Sequence, residues 1–95
     1  MTDTQKQCLD QANSYLEKIP FSKEGLRGQL DYKGYDKSDI DFALDDINAD
    51  WTANAVKKAE DYLATMPLSQ SALEQQLKFD GFTAEEIAIA VEKTY

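Results

Sequence analysis

The sequence predicts an all-α protein made of two tandem three-helix repeats that pack together. Three observations predict this fold: a long internal repeat, apolar residues at helical spacing in both copies, and residues that begin or end helices at matching places in each copy. The 95 residues suffice for one small domain or two very small ones. We expect the first helical repeat to span residues 1–48 and the second to span residues 49–95.

The internal repeat appears when the chain is compared with itself at an offset of 47 residues, which aligns Leu9–Ile47 with Val56–Thr94. The stretches LDYKGYDKSDI and LKFDGFTAEEI are the clearest instance, because their glycine, aromatic residues and isoleucine fall in register. A shared period of this length indicates one supersecondary unit used twice. The identical pairs are Ala12/Ala59, Tyr15/Tyr62, Leu16/Leu63, Pro20/Pro67, Ser22/Ser69, Leu26/Leu73, Gln29/Gln76, Leu30/Leu77, Gly34/Gly81, Ile40/Ile87 and Ala43/Ala90.

The first helix of each repeat is predicted by apolar residues that recur at helical spacing. Pro20 and Pro67 end these helices, because the residue before a proline is disfavoured in the α conformation. The apolar positions are Leu9, Ala12, Leu16 and Ile19 in the first repeat, and Val56, Ala59, Leu63 and Met66 in the second.

The second helix of each repeat begins at a serine, Ser22 or Ser69, whose hydroxyl can accept a hydrogen bond from a free backbone N–H. Phe21 before the cap and Leu26 four positions after it form a predicted hydrophobic staple. The second repeat has the same staple in Leu68 and Leu73.

A sharp turn is predicted between the second and third helices of each repeat. Gly34 and Gly81 follow the last turn of the second helix, where a residue with positive φ ends a helix at least cost. Asp36 and Thr83 then stand at the next N-cap positions, and Thr83-Ala-Glu-Glu86 has the sequence of a capping box. The staple residues expected across the turn are Tyr35 and Ile40 in the first repeat, and Phe82 and Ile87 in the second.

A short connection, Asn48-Ala-Asp50, joins the repeats, and Asp50 is a suitable N-cap for the next helix. A connection of this length lets the repeats pack together, and that packing should contribute to stability because each repeat has few large apolar residues. Trp51 is interpreted as a packing residue at a helix start, with a ligand anchor as the alternative.

The composition excludes several classes of function. Eighteen acidic residues against ten basic ones give a net charge of −8, which favours basic partners and opposes binding to nucleic-acid phosphates or anionic lipid headgroups. The third helix of the first repeat is too acidic for a DNA-recognition helix. No apolar run approaches the length of a membrane span, and MTDTQKQC lacks a signal pattern, so we expect a soluble chain whose targeting segment, if any, precedes Met1.

Neither catalysis nor a cofactor is predicted. The chain has no histidine, and Cys8 is its single cysteine, interpreted as a small buried hydrophobe. No glycine-rich phosphate loop and no nucleophile–base pair is present. The stretch Asp46–Thr52 imitates the start of a calcium loop, but Trp51 stands where glycine is needed and Lys57 where a bidentate glutamate is needed, so no metal is predicted.

The duplicated pattern resembles the host cell surface-exposed lipoprotein family. The pattern is A-x-x-Y-L-x-x-[IM]-P-[FL]-S-x-x-[GA]-L-x-x-Q-L, then G-[YF]-[DT] and an acidic third helix. It occurs in Ala12–Leu30 with Gly34, and again in Ala59–Leu77 with Gly81. The resemblance implies a cell-surface domain tethered to the membrane by a lipidated cysteine, with superinfection exclusion as the role of phage-encoded members. Cys8 does not fit the lipidation motif, because no apolar segment precedes it.

A candidate partner-binding surface follows from the crowding of aspartates around the third helix of the first repeat, where only Lys37 offsets them. Phe42 and Ile89 each place an apolar residue about 200° round the helix from the core stripe. They are either buried at the contact between the repeats or exposed as anchors for a partner. The candidate residues are Asp36, Asp39, Asp41, Asp45, Asp46, Asp50, Phe42 and Ile89.

The sequence therefore predicts a non-enzymatic protein-binding module without cofactors, whose partner is a basic protein segment. The resemblance implies that it works outside the membrane and blocks phage DNA injection by binding a component of the injection machinery. The alternatives are an intracellular acidic adaptor or nucleic-acid mimic, and a structural spacer of a cell-surface protein.

Overall fold

The structure, a computed structural model, describes residues 1–95 and contains six α-helices and no β-strand. The molecule is elongated, with extents of 45 × 20 × 19 Å. The fold confirms the prediction of an all-α chain with two three-helix repeats. The helices are α1 (Asp3–Lys18), α2 (Lys23–Tyr32) and α3 (Lys37–Asp46) in the first repeat, and α4 (Trp51–Thr65), α5 (Gln70–Phe79) and α6 (Ala84–Thr94) in the second.

The glycine turns have the predicted geometry in both repeats. Gly34 has a φ of +93° and Gly81 a φ of +97°. At the first turn the N–H of Tyr35 donates to the carbonyl of Leu30 at 3.3 Å, which is the long bond of a Schellman motif, and the second turn repeats it. The second and third helices of both repeats are therefore joined by the same type of glycine turn.

The predicted N-caps are also present, with one exception. The hydroxyls of Ser22, Ser69 and Thr83 each accept a bond from the backbone N–H three residues later. Thr83 and Glu86 form the full capping box. Asp36 stands at the N-cap of α3 with extended backbone angles, but its side chain makes no capping bond.

Each repeat has its own apolar core, and the two cores occupy equivalent positions. The first and third helices of each repeat approach closely because alanines face each other there. Ile19 and Met66, the last apolar positions of the first-helix pattern, sit at extended C-cap positions and are more than two-fifths exposed. The buried residues are Cys8, Ala12, Leu26, Leu30, Ile40, Ala43 and Leu44 in the first core, and Ala55, Ala59, Leu73, Leu77, Phe82, Ile87, Ala90 and Val91 in the second.

The repeats meet at a polar joint formed by Ser22 and Gly25 of the first repeat and Asp80 and Gly81 of the second. The Ser22 hydroxyl, which is 2 % exposed, donates to the backbone carbonyl of Asp80 at 2.5 Å. Beside the joint, Trp51 at the start of α4 packs against the core of the first repeat, as the packing interpretation predicted. The two repeats thus keep separate cores and are connected by the polar joint and by the packing of Trp51.

Candidate partner-binding surface

The structure separates the predicted acidic residues into those with a role in the fold and those left free. All lie on α3 or in the connections at its two ends. Their surroundings differ enough that they do not act as one uniform patch.

Asp41 is held by an ion pair within the first repeat. Its carboxylate accepts a hydrogen bond from the guanidinium of Arg27 on α2, and Arg27 also lies 3.6 Å from a carboxylate oxygen of Glu24. The bond to Asp41 is the main reason that the pKa of Arg27 is raised. Asp41 therefore links α2 to α3, and its charge is already compensated.

Asp39 is only partly exposed. The pKa of the Cys8 thiol is raised, mainly because the thiol is buried and further because the Asp39 carboxylate is near. Cys8 is fully buried, as its interpretation as a small hydrophobe predicted.

Asp36 and Asp50 stand at helix starts. The Asp50 carboxylate accepts a hydrogen bond from the N–H of Ala53 at 3.0 Å, so it caps α4. No group of three or more carboxylate or thiol side chains is arranged to hold a metal ion. The capping role accounts for Asp50 without a calcium loop.

Asp45 and Asp46 are the free acidic pair. Both are exposed, and they occupy the last turn of α3, which contains no basic residue. Carboxylates there are disfavoured by the negative end of the helix dipole. The equivalent positions in α6 hold Glu92 and Lys93, and a lysine complements the dipole. The pair therefore costs the fold some stability that the second repeat avoids.

The two apolar candidates differ from each other. Phe42 is half-buried but belongs to neither core, whereas Ile89 is 39 % exposed. Burial at the contact between the repeats is therefore wrong for Ile89, because its side chain is exposed. Ile89 remains available on the outer side of α6.

A surface groove of about 540 Å³ brings the connection between the repeats next to the start of α6. Its walls include Asn48, Asp50 and Trp51 on one side and Glu86 on the other. Asn48 follows the acidic end of α3 by two residues, so the groove lies between that end of the connection and Glu86 in the first turn of α6. The sequence did not indicate this neighbourhood, and neither did it single out Arg27.

The arrangement suits recognition of a cationic surface. It combines the free carboxylates of Asp45 and Asp46 on α3 and the exposed Glu85 of α6 with an exposed apolar side chain, Ile89. No helix has both the length and the apolar character needed to cross a membrane.

Comparison with known proteins agrees with the duplicated pattern. The family model described as host cell surface-exposed lipoprotein matches the chain twice, over residues 3–47 and 50–93. A solved structure of Ltp, a superinfection exclusion protein from the Streptococcus thermophilus temperate phage TP-J34, superposes with a TM-score of 0.91 at 31% sequence identity, covering 100% of this chain and 99% of that chain. No match was found among curated protein sequences. The family description agrees with the surface location that the resemblance implied, and this chain belongs to the host cell surface-exposed lipoprotein family.

Proposed function

We propose that this protein acts in superinfection exclusion, as a cell-surface module that binds another protein and has no catalytic role. The observation that carries the proposal is the full-length likeness to the superinfection exclusion protein Ltp, in which both repeats and their arrangement are shared. The likeness covers the whole chain, so it supports a shared arrangement of the two repeats.

The mechanism that we propose is obstruction of DNA injection by binding a basic segment of the phage machinery. The net charge of −8 and the exposed pair Asp45 and Asp46 provide the field that attracts such a segment. Charged groups at the rim of an interface mainly accelerate association, whereas buried apolar contacts slow dissociation. The acidic pair should therefore determine how fast the partner is captured.

The test is an infection assay with the protein displayed on the bacterial surface through a lipid anchor. Cells are challenged with a panel of phages, and adsorption and entry of phage DNA are measured separately. We expect normal adsorption and reduced DNA entry for at least one phage. Absence of protection against every phage, with surface display verified, would overturn the proposal.

A charge variant tests the mechanism. Asp45→Asn/Asp46→Asn should weaken protection and flatten the dependence of partner association on salt. The matched control is Glu60→Gln/Asp61→Asn, which removes the same charge from two exposed positions on α4. Equal loss in both variants would show that only net charge matters and would contradict the assignment to α3.

A further inference from the structure

Two surface grooves occupy equivalent places, one in each repeat, between the second and third helices. The groove of the first repeat has a volume of about 330 Å³ and that of the second about 400 Å³. The first is lined by Glu24, Arg27, Gly28, Asp31, Lys37 and Ile40, and the second by Ser71, Glu74, Gln75, Lys78, Ala84, Ile87 and Ala88.

The two grooves have diverged at the positions that join their walls. In the first repeat the Arg27–Asp41 ion pair runs from α2 to α3. In the second repeat the equivalent residues are Glu74 and Ala88, which cannot form such a pair. The walls of the second groove are therefore not tied together by charged side chains.

The α6 wall of the second groove is apolar and shallow. Ala84 and Ala88 are exposed, and Ile87 lies behind them at 8 % exposure. On the α5 wall, Phe79 follows the lining residue Gln75 by one helical turn and is 85 % exposed. A side chain placed on the two alanines would thus meet apolar surface on the α6 side.

The groove is continuous with the acidic part of the surface across the outer side of α6. Ala84 and Ala88 border the groove, while Glu86 borders the connection between the repeats. Helical geometry places Glu85 and Ile89 between these two borders. A segment that crosses α6 from the connection to the groove therefore passes Glu86 first, then Ile89, then Glu85 and the alanines.

We propose that a basic amphipathic segment of the partner docks across α6, with an apolar side chain in the groove of the second repeat and its cationic groups toward Glu85, Glu86 and the end of α3. This inference rests on the proposed function, and it adds the chemical character of the partner and the place where the partner binds. Charge complementarity identifies a basic segment as the occupant. The groove itself has no net charge, because Glu74 is balanced by Lys78, whereas the surface of α6 that leads to the groove is acidic.

The experiment introduces into the second groove the ion pair found beside the first. The pair replaces the exposed methyl group of Ala88 with charged side chains, so a polar groove remains but it is closed to an apolar side chain, and we call this change the groove-closing variant. Glu74→Arg/Ala88→Asp introduces the residue types that form the Arg27–Asp41 pair at equivalent positions, so the repeat should still fold. It changes the net charge by +1, and Glu60→Gln on exposed α4 is the charge-matched control. The probes are a synthetic helical peptide of lysines and leucines and a lysine–serine peptide of equal charge, both used below the concentration of self-association.

The wild-type protein should bind the lysine–leucine peptide about tenfold more tightly than the lysine–serine peptide, as burial of one or two leucine side chains allows. The groove-closing variant should reduce this ratio to about twofold or less, whereas Glu60→Gln should preserve it. Asp45→Asn/Asp46→Asn should weaken the binding of both peptides and leave the ratio of their affinities unchanged.

An unchanged ratio in the groove-closing variant, with a normal circular dichroism spectrum, would overturn the docking inference. Protection in the infection assay could still hold in that case, so the proposed function would survive separately. Sedimentation of the protein alone gives the other outcome: self-association of the wild type that the groove-closing variant abolishes would show that a second copy of the chain occupies the groove, and would also overturn the inference.

Discussion

The two glycine turns have the same backbone geometry and very different surroundings. A Cβ atom added at Gly34 would meet no atom within 4 Å. At Gly81 it would lie 2.8 Å from the Ser22 hydroxyl and 3.0 Å from the Cβ of Glu24. One turn is solvent-facing, and the other forms half of the joint between the repeats. The comparison teaches that the same glycine can have different roles in the two repeats. Gly34 only allows the positive φ of the turn, whereas Gly81 also allows the close contact with the other repeat.

The same contrast explains why the repeats differ at two other places. Gly25 of α2 faces the carbonyl of Asp80, which a Cβ atom at Gly25 would approach to 3.3 Å, whereas the equivalent residue in α5 is Ala72. Asp80 is replaced by Lys33 in the first repeat. These differences fall where one repeat touches the other.

The largest effect should come from alanine at the two turns. Gly34→Ala should cost about 1 kcal/mol because of the positive φ alone. Gly81→Ala should cost about 2–3 kcal/mol, because the new methyl group also displaces the Ser22 hydroxyl from its bond to Asp80. Denaturant unfolding of the two variants measures this difference, and equal losses would contradict the importance of the joint.

The next effect concerns Asp80 as a hydrogen-bond acceptor. The Tyr62 hydroxyl donates to the Asp80 carboxylate at 2.5 Å, whereas the equivalent Tyr15 hydroxyl only accepts a long bond of 3.4 Å from Gln29. Tyr62→Phe should therefore cost about 1 kcal/mol and Tyr15→Phe clearly less. The free energy of unfolding of both variants, from chemical denaturation, is the measurement.

Tyr62 should also make the free energy of unfolding depend on pH. Burial, and then the bond to Asp80, raises the pKa of Tyr62 above its usual value near 10. The neutral phenol is thus favoured in the folded state, so its stabilisation is complete below about pH 10 and is lost as the pH rises through the raised pKa. Tyr62→Phe should flatten this alkaline decline, and an identical decline in wild type and variant would assign it to another group.

A smaller, opposite effect is expected at Gly28. This glycine lies inside α2 without a positive φ, and a Cβ atom there would meet nothing within 4 Å. Gly28→Ala should raise the free energy of unfolding by about 0.5–1 kcal/mol. Gly25→Ala, three residues earlier in the same helix, should show no such gain because the joint crowds it. Thermal unfolding of the Gly28→Ala and Gly25→Ala variants would show which residues of α2 belong to the joint.

The fold was predictable because its signals are local. A proline, a serine cap and a glycine with positive φ each act within a few residues, and Gly34, Gly81 and Thr83 behave as their sequence predicts. The exposure of Ile19 could not be predicted, because a helical period does not show where the extended C-cap begins.

The candidate surface was predictable only in part, because its residues depend on partners distant in sequence. The charge density of α3 is visible in the sequence, but the bond from Arg27 to Asp41 spans 14 residues and requires the helix packing to be known. The joint was missed for a similar reason. Ser22 and Ser69 look identical as helix caps, and only the fold brings Ser22 to a carbonyl 58 residues away.

The smallest effect on stability should come from the free acidic pair, and its direction is informative. Asp45 and Asp46 lie against the negative end of the α3 dipole, so Asp45→Asn/Asp46→Asn should raise the free energy of unfolding by about 0.5 kcal/mol at low salt. The same variant should weaken phage exclusion if the pair serves recognition.

Thermal unfolding and the infection assay are measured on the same variant, with Asp41→Asn as the contrast. That change breaks the ion pair with Arg27 and should lower stability. A more stable protein that excludes phage less well would show that these carboxylates are kept for binding. A stabilised variant with full exclusion would mean that they form only a solvated helix end.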